Sequence, residues 1–208
     1  VTGRVLATPW VAEHVPAVLM AYQPGTAGGA VADVLFGRAD PGGRLPISVP
    51  RSEGQLPQRF NHLPNPKGTD EAHRPSYDPL WEYGHGLSYA TFEYGDLSLS
   101  ADGIGPDETV AVEVPVTNVG DRAGTAVVEA FVRDVRSSRV TPVRELAAFE
   151  RVELDPGEER SVELTLDRDA LAVVDPDGER RVEPGTFEVT VGDATASFEV
   201  VRRRPYER

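Results

Sequence analysis

From residue 110 the chain alternates. Val110, Val112, Val114 and Val116 fall on one side and Ala111, Glu113, Pro115 and Thr117 on the other, the period of two that marks a strand with one dry face. Asn118-Val119-Gly120 turns the chain, and Val128, Ala130 and Val132 resume the pattern. Phe149 with Val152, Val162 with Leu164 and Leu166, Phe187 with Val189 and Val191, and Phe198 with Val200 complete it. Asp155-Pro156-Gly157, Asp175-Pro176-Asp177-Gly178 and Glu183-Pro184-Gly185 supply the turns, because Pro presets one turn dihedral and Gly accepts a positive φ. About seven short strands in roughly 110 residues predict an all-β immunoglobulin- or fibronectin type III-like sandwich over 92–201. Phe131, Phe149, Phe187 and Phe198 are expected inside it, and 202–208, with Tyr206, form a tail.

The first half has a different grammar. Arg4 to Ala7 reads as a short extended run, and Pro9-Trp10 opens a turn or helix stub through His14. Ala17 to Ala21 reads as a buried strand. Pro24-Gly25-Thr26 leads into a helix from Ala27 to Phe36, with Val31, Val34 and Leu35 on one face and Gly37 as its cap, and Leu45 to Val49 is the next strand. Strand and helix in alternation predict a parallel α/β layer. Over 1–50 it amounts to a partial sheet, an α/β remnant that cannot cover both of its own faces. Residues 51–91 are rich in Pro, His and aromatic residues without a period. They are expected to form an irregular connector wrapped over a protein surface, since Phe60, Tyr77, Trp81, Tyr83 and Tyr89 are costly to leave in water.

Charge separates the same two regions. The chain carries a formal net charge of −13. Up to Tyr94 there are 7 Lys and Arg against 9 Asp and Glu; from Gly95 onward there are 14 against 25. This excludes nucleic acid and anionic membrane as expected partners, because phosphate recognition requires clustered cations. Lys67 is the only lysine. Acid excess with almost no lysine suits a protein hydrated in concentrated salt, whereas a high-GC genome would explain the arginines alone. The absence of cysteine excludes disulfides, thiolate metal sites and a Cys nucleophile. No apolar run is long enough to span a membrane. The chain opens at Val1 with its one methionine at Met20, and is read as lacking its natural start; no signal peptide is visible, and the compartment stays open between cytoplasmic and secreted.

No complete catalytic constellation emerges. Gly25-Thr26-Ala27-Gly28-Gly29 sits where a phosphate loop would, but lacks the Lys-Ser/Thr of a P-loop and the dinucleotide spacing. Small residues letting a helix approach a sheet are the expected reason. Gly84-His85-Gly86-Leu87-Ser88 lacks the order of a nucleophile elbow and is expected to serve turn geometry. His14, His62, His73 and His85 show no metal-ligand spacing, so no metal or cofactor is expected, although His62 and His73 could face a ligand from the connector. Glycosidic chemistry needs two facing carboxylates. Asp70-Glu71, Asp107-Glu108 and Glu158-Glu159 are expected to be solvated turn charges, and Glu13 a helix-surface residue beside Trp10 and His14.

Several ordered motifs nevertheless resemble one family. Pro9-Trp-Val-Ala-Glu-His-Val-Pro16, Tyr22-Gln-Pro-Gly25, Gly28 to Gly37, Pro41-Gly-Gly-Arg-Leu-Pro46, Gln55-Leu-Pro57, Phe60-Asn-His62 and Tyr83-Gly-His-Gly-Leu-Ser-Tyr89 are similar to glycoside hydrolase family 3, the β-glucosidase and β-xylosidase family. The likeness continues at Val116 to Gly120, Pro142 to Leu146, Phe149 to Val152 and Asp155 to Gly157. It implies a catalytic barrel, an α/β sandwich domain and a fibronectin type III-like domain. Of these the chain would hold the C-terminal part of the α/β domain (1–50), the connector and the β-sandwich. The resemblance places the nucleophilic Asp and the acid/base Glu upstream of Val1, so no catalytic residue carries over. The expected role is the C-terminal portion of a retaining β-glucosidase-like enzyme, inactive alone and meeting a β-glycoside only together with the barrel. The alternative is a non-catalytic module for protein docking or weak glycan binding. An uncovered α/β edge also raises the expectation of a homodimer through residues 1–50.

Overall fold

The computed structural model describes residues 3–64 and 78–202. Tyr206 and the tail from 203 lie outside them. The chain divides into two compact units, one running through Phe60 and resuming up to Tyr89, the other formed by Asn61–Pro64 and everything from Ala90.

In the first unit both predicted helices form. Helix α1 spans Pro9–His14 with Pro at its start, where a missing N–H costs no intrahelical bond. Helix α2 spans Gly28–Leu35. It ends as expected, with Gly37 at φ +70° and its N–H donating to the Val34 carbonyl at 3.0 Å, a left-handed closure that glycine makes without Cβ strain.

The predicted strands of this unit do not form ladders, and this corrects the sequence reading. Arg4–Ala7 pairs with nothing among the described residues. Residues 17–24 run without helix, turn or bend, yet Ala17–Ala21 is not a buried strand: Val18 is 45% and Leu19 42% exposed. A ladder requires a neighbouring edge, and no described segment supplies one. Leu45–Val49 finds its neighbour in the connector, and antiparallel rather than parallel. The Val49 N–H donates to Trp81 O at 2.8 Å, Leu80 N–H to Val49 O at 2.7 Å, Gly84 N–H to Leu45 O at 2.8 Å and Leu45 N–H to His85 O at 2.9 Å. The return of the connector is therefore bonded structure. Burial in this unit is confined, among the described residues, to Gly42, Ser48, Val49, Pro50 and Gln58.

The second unit is the predicted sandwich. Its strands are β1 Phe92–Tyr94, β2 Ser98–Leu99, β3 Gly103–Ile104, β4 Val110–Asn118, β5 Gly124–Asp134, β6 Glu145–Leu154, β7 Glu159–Leu166, β8 Val173–Val174, β9 Arg180–Arg181, β10 Gly185–Val191 and β11 Ala194–Val200. In one sheet β4 pairs β7 along its length and takes β1 and β2 near its two ends; a second has the order β3-β11-β10-β5-β6, and β8 and β9 pair with each other in a small third sheet. All pairings are antiparallel except β3 with β11. The alternation decides which side chains are inside: Val110, Val112, Val114 and Val116 meet Ala126, Val128, Ala130, Val189, Val191 and Phe198 in one core. Phe187 and Phe198 stack within it at 5.7 Å between ring centroids.

Three expectations fail here for local reasons. Phe131 is only half-buried, because it alternates with the buried Ala130 and Val132 and so lies on the opposite face, with the Arg144 guanidinium 5.0 Å from its ring centroid. Phe149 is 63% exposed. It lies three residues from the buried Val152, an odd spacing that puts the two on opposite faces, and the β5–β6 register shifts at Ala130/Phe131. A helical turn, α3 (Arg168–Leu171), interrupts what read as purely β sequence; Asp167 caps it by accepting from Ala170 N–H at 3.0 Å. Asn118 is fully buried and satisfied. Its Nδ2 donates to Arg122 O at 2.8 Å and Leu154 O at 3.0 Å, and its Oδ1 accepts from Gly120 N–H at 3.0 Å. The motif Asn118-Val119-Gly120 thus ties the end of β4 to the end of β6. The chain is an α/β remnant followed by an all-β sandwich.

Candidate functional site

The return of the connector, bonded antiparallel to 45–49, carries an open groove of about 550 Å³, lined by Arg51, Asp78, Trp81, Glu82, Tyr83 and His85 among others. Gln55 organises one end, its Oε1 accepting from Arg51 N–H at 2.6 Å and its Nε2 donating to Asp78 O at 3.2 Å. Tyr83 is held by its N–H on Ser48 Oγ at 3.1 Å and by stacking on Phe60 at 4.2 Å. The turn Glu82–His85 needs Gly84 at φ +78°. Chemically the groove offers an aromatic wall, carboxylates and a guanidinium, the groups that hold a polar organic ligand by stacking and hydrogen bonds.

The sequence candidates are dispersed. Within Gly84–Ser88, Gly86 is a close-approach position, since an added Cβ would lie 2.7 Å from Gly43 O. Ser88 Oγ donates to Asp40 Oδ1 at 2.6 Å, the Tyr89 N–H to the same oxygen at 2.8 Å, and the Tyr89 hydroxyl to Val34 O at 2.7 Å. Ser88 is a clasp, as the turn reading expects. Gly28 and Gly29 do not let α2 approach a sheet: an added Cβ at either meets nothing within 4 Å. His14 stacks on Trp10 at 4.5 Å, with Nδ1 2.8 Å from Trp10 O. His62 lies in the second unit, its ring on Leu63 O and its carbonyl accepting from Val143 N–H at 2.9 Å. His85 borders the groove. His73 and the pair Asp70-Glu71 fall outside the described residues. No group of three or more His, Asp or Glu among the described residues is placed to hold a metal ion.

The described acidic pairs do structural work. Glu108 accepts from Gly105 N–H at 2.7 Å and Glu159 from Thr117 Oγ1 at 3.1 Å. Glu158 accepts from Asp155 N–H at 2.9 Å and pairs with Arg160; these bonds hold its carboxyl below the ordinary range. Glu13 is exposed on α1. The sequence reading missed one carboxylate cluster. Glu183, taken only as a turn residue, accepts from Ser138 Oγ at 2.5 Å and Ser138 N–H at 2.8 Å, which lowers its pKa. Burial, with a smaller contribution from Glu183, raises that of Asp134. Nothing in the period of two signals this clamp, because its members lie in loops. No helix among the described residues is long and apolar enough to cross a membrane.

Residues 1–89 match the model of the glycosyl hydrolase family 3 C-terminal domain, and 126–195 that of the fibronectin type III-like domain. The chain belongs to glycoside hydrolase family 3. It is 38% identical over 96% of its length to a periplasmic β-glucosidase of Salmonella typhimurium, and 39% identical over 92% to a β-xylosidase of Formosa agariphila, covering 28% and 27% of those proteins. Among solved structures, a β-glucosidase from Erythrobacter marinus superposes with a TM-score of 0.91 at 36% identity, over 97% of this chain and 27% of that one. The Listeria innocua β-glucosidase bound to isofagomine gives 0.86 at 35% identity, over 97% and 30%. The chain therefore spans less than a third of the family 3 proteins it matches, and the region matched is C-terminal.

Proposed function

We propose that this chain supplies the C-terminal, non-catalytic region of a retaining β-glycosidase acting on β-glucosides or β-xylosides. The observation that carries the reading is the order and reach of the likeness: two family modules in sequence, aligned over nearly the whole chain with proteins named β-glucosidase and β-xylosidase. The described carboxylates support it from the other side. Glu108, Glu158, Glu159 and Glu183 are each engaged by turn or loop N–H groups, hydroxyls or arginine, which favours a nucleophile and acid/base outside this chain. The purified chain is expected to leave aryl β-glucosides intact. Turnover that disappears in Glu13→Gln or another single carboxylate variant overturns the proposal, because acid–base or nucleophilic catalysis by one carboxylate is worth orders of magnitude.

The acidic second region supports a further element of the same reading, adaptation to concentrated salt. With 25 acidic against 14 basic residues from Gly95 onward, self-repulsion opposes the compact state at low ionic strength and is screened within about 3 Å at 1 M. The melting temperature is expected to climb as KCl rises from tens of millimolar to molar; a flat response removes the salt reading.

A further inference from the structure

Ser48, Val49 and Pro50 form a buried run in the first unit, and the walls of the groove are fastened to it. The Val49 N–H donates to Trp81 O at 2.8 Å, and Val49 O accepts from the Leu80 and Trp81 N–H groups at 2.7 and 3.4 Å. Ser48 Oγ holds the Tyr83 N–H, and Arg51 follows Pro50 directly. Gln55 then reaches from Arg51 N–H to Asp78 O. The lining residues are thus fixed at the backbone, while Arg51, Asp78, Glu82 and His85 stay exposed and Trp81 is half-buried. A groove whose walls are already in place loses little affinity to ordering them.

The lining selects the chemistry of the ligand. Asp78 and Glu82 bring carboxylates, Arg51 a guanidinium, His85 an imidazole, and Trp81 and Tyr83 aromatic rings. An anion entering the groove meets two carboxylates, and an amine meets the guanidinium. A wholly apolar ligand leaves these polar groups without partners as it excludes water from them. A neutral, hydroxyl-rich ring suits all of them: each hydroxyl donates to a carboxylate or accepts from the guanidinium, and the ring's C–H face packs on an aromatic side chain. A volume of about 550 Å³ falls within the range of small-ligand sites, and an open groove lets a chain of such rings continue into solvent. We infer that the groove lined by Arg51, Asp78, Trp81, Glu82, Tyr83 and His85 binds a short neutral oligosaccharide, one ring stacked on Trp81 and its hydroxyls shared between Arg51 and the two carboxylates. The choice of β-linked glucose and xylose oligomers as its ligands rests on the functional reading above; the recognition of a sugar does not.

The chain has two tryptophans, Trp10 and Trp81, so Trp10→Phe leaves Trp81 as the one reporter, and Trp10 does not line the groove. The full chain carrying that substitution is titrated with cellotetraose, xylotetraose, maltotetraose and inorganic phosphate, and calorimetry on the unaltered chain repeats each titration. Cellotetraose or xylotetraose is expected to change the Trp81 emission saturably, with half-saturation at about 1 mM or below. Arg51→Ala and, separately, Glu82→Gln should each raise that concentration about tenfold or more, while the urea midpoint read by Trp81 shows that the first unit still folds. No saturable response to any of the three sugars up to about 10 mM, by either measurement, overturns the site. So does a response that both variants leave unchanged, which puts the sugar elsewhere, or a response to phosphate alone, which gives the groove to an anion. Binding of maltotetraose alone keeps the oligosaccharide site and counts against the β-glycoside reading. Hydrolysis of an aryl β-glucoside by the chain counts against its non-catalytic role and leaves the groove standing.

Discussion

Val112 and Val18 are the same residue in similarly apolar stretches, but one is fully buried and the other 45% exposed. The difference lies in where the cover comes from. In β4 every second residue is polar or small, so the strand needs one apolar layer, and β10, β11 and β5 of the same chain provide it. Ala17–Ala21 is apolar at every position, so it needs two, and the described chain leaves Ala17, Val18 and Leu19 exposed. Periodicity thus reports how many faces a segment must bury. It does not report whether the covering layer belongs to the same polypeptide.

The hardest test of this contrast is to remove one aromatic ring from each region. Phe198→Ala opens a cavity beside Phe187 in the closed core and is expected to cost about 3–5 kcal/mol. Phe36→Ala removes a ring already in water and should stay within about 0.5 kcal/mol. Urea unfolding can read the two units separately, because Trp10 and Trp81 both lie in the first unit while the β-sheet circular dichroism belongs to the sandwich. Equal costs for the two substitutions would erase the distinction.

A second, smaller effect concerns the polar residue inside the sandwich. Asn118→Ala deletes three side-chain hydrogen bonds and strands the buried Leu154 carbonyl, together with the part-buried Arg122 carbonyl and Gly120 N–H. A loss of about 2–3 kcal/mol in the same urea experiment is expected. A loss under 0.5 kcal/mol would mean that β4 and β6 are not held together there.

These residues also show what was legible in the sequence. The sandwich could be read because its valines alternate and its turns carry Pro-Gly and Asp-Gly signals, both local properties. The helices α1 and α2 and the Gly37 cap were legible for the same reason. Phe149 was misplaced because two apolar residues three apart were grouped by proximity rather than parity. The pairing of Leu45–Val49 with Trp81–His85 was missed because the partner is more than thirty residues away in a stretch without period. The Glu183–Ser138 clamp is equally non-local. At the site itself, the turn role of Gly84 followed from spacing, whereas the groove lined by Arg51 and residues of the connector's return did not, since no motif encodes it.

Acid reports on the sandwich loops more gently. Glu183 has its pKa lowered, first by the Ser138 hydroxyl and then by the Ser138 N–H, so its contribution to stability is present above the unfolded carboxylate range and is lost as pH falls through the lowered value. Asp134 is raised, chiefly by burial, and works in the opposite sense: its protonation relieves the folded state as pH falls through the raised value. Glu183→Gln is therefore expected to flatten the decline in melting temperature between neutral and acidic pH, and to leave the remaining slope shallower or reversed. An unchanged pH profile would show that the clamp does not hold the 135–144 loop in solution.

The smallest effect is expected at Tyr22, and it sharpens the comparison most. Like Asn118 it places a polar atom out of reach of water, but its hydroxyl finds no hydrogen-bond partner among the described residues. Its backbone also takes φ +48°, a left-handed setting that an aromatic residue adopts at a cost of about 1–2 kcal/mol. Removing one member of a satisfied pair leaves the other stranded, while removing an unsatisfied group strands nothing. Tyr22→Phe should therefore be neutral, or stabilise the first unit by up to about 1 kcal/mol, with the left-handed turn unchanged because the backbone penalty is the same for both rings. The measurement is thermal unfolding followed by the fluorescence of Trp10 and Trp81. A destabilisation comparable to that of Asn118→Ala would show that the hydroxyl is bonded in solution, and that the first unit satisfies its interior as the sandwich does.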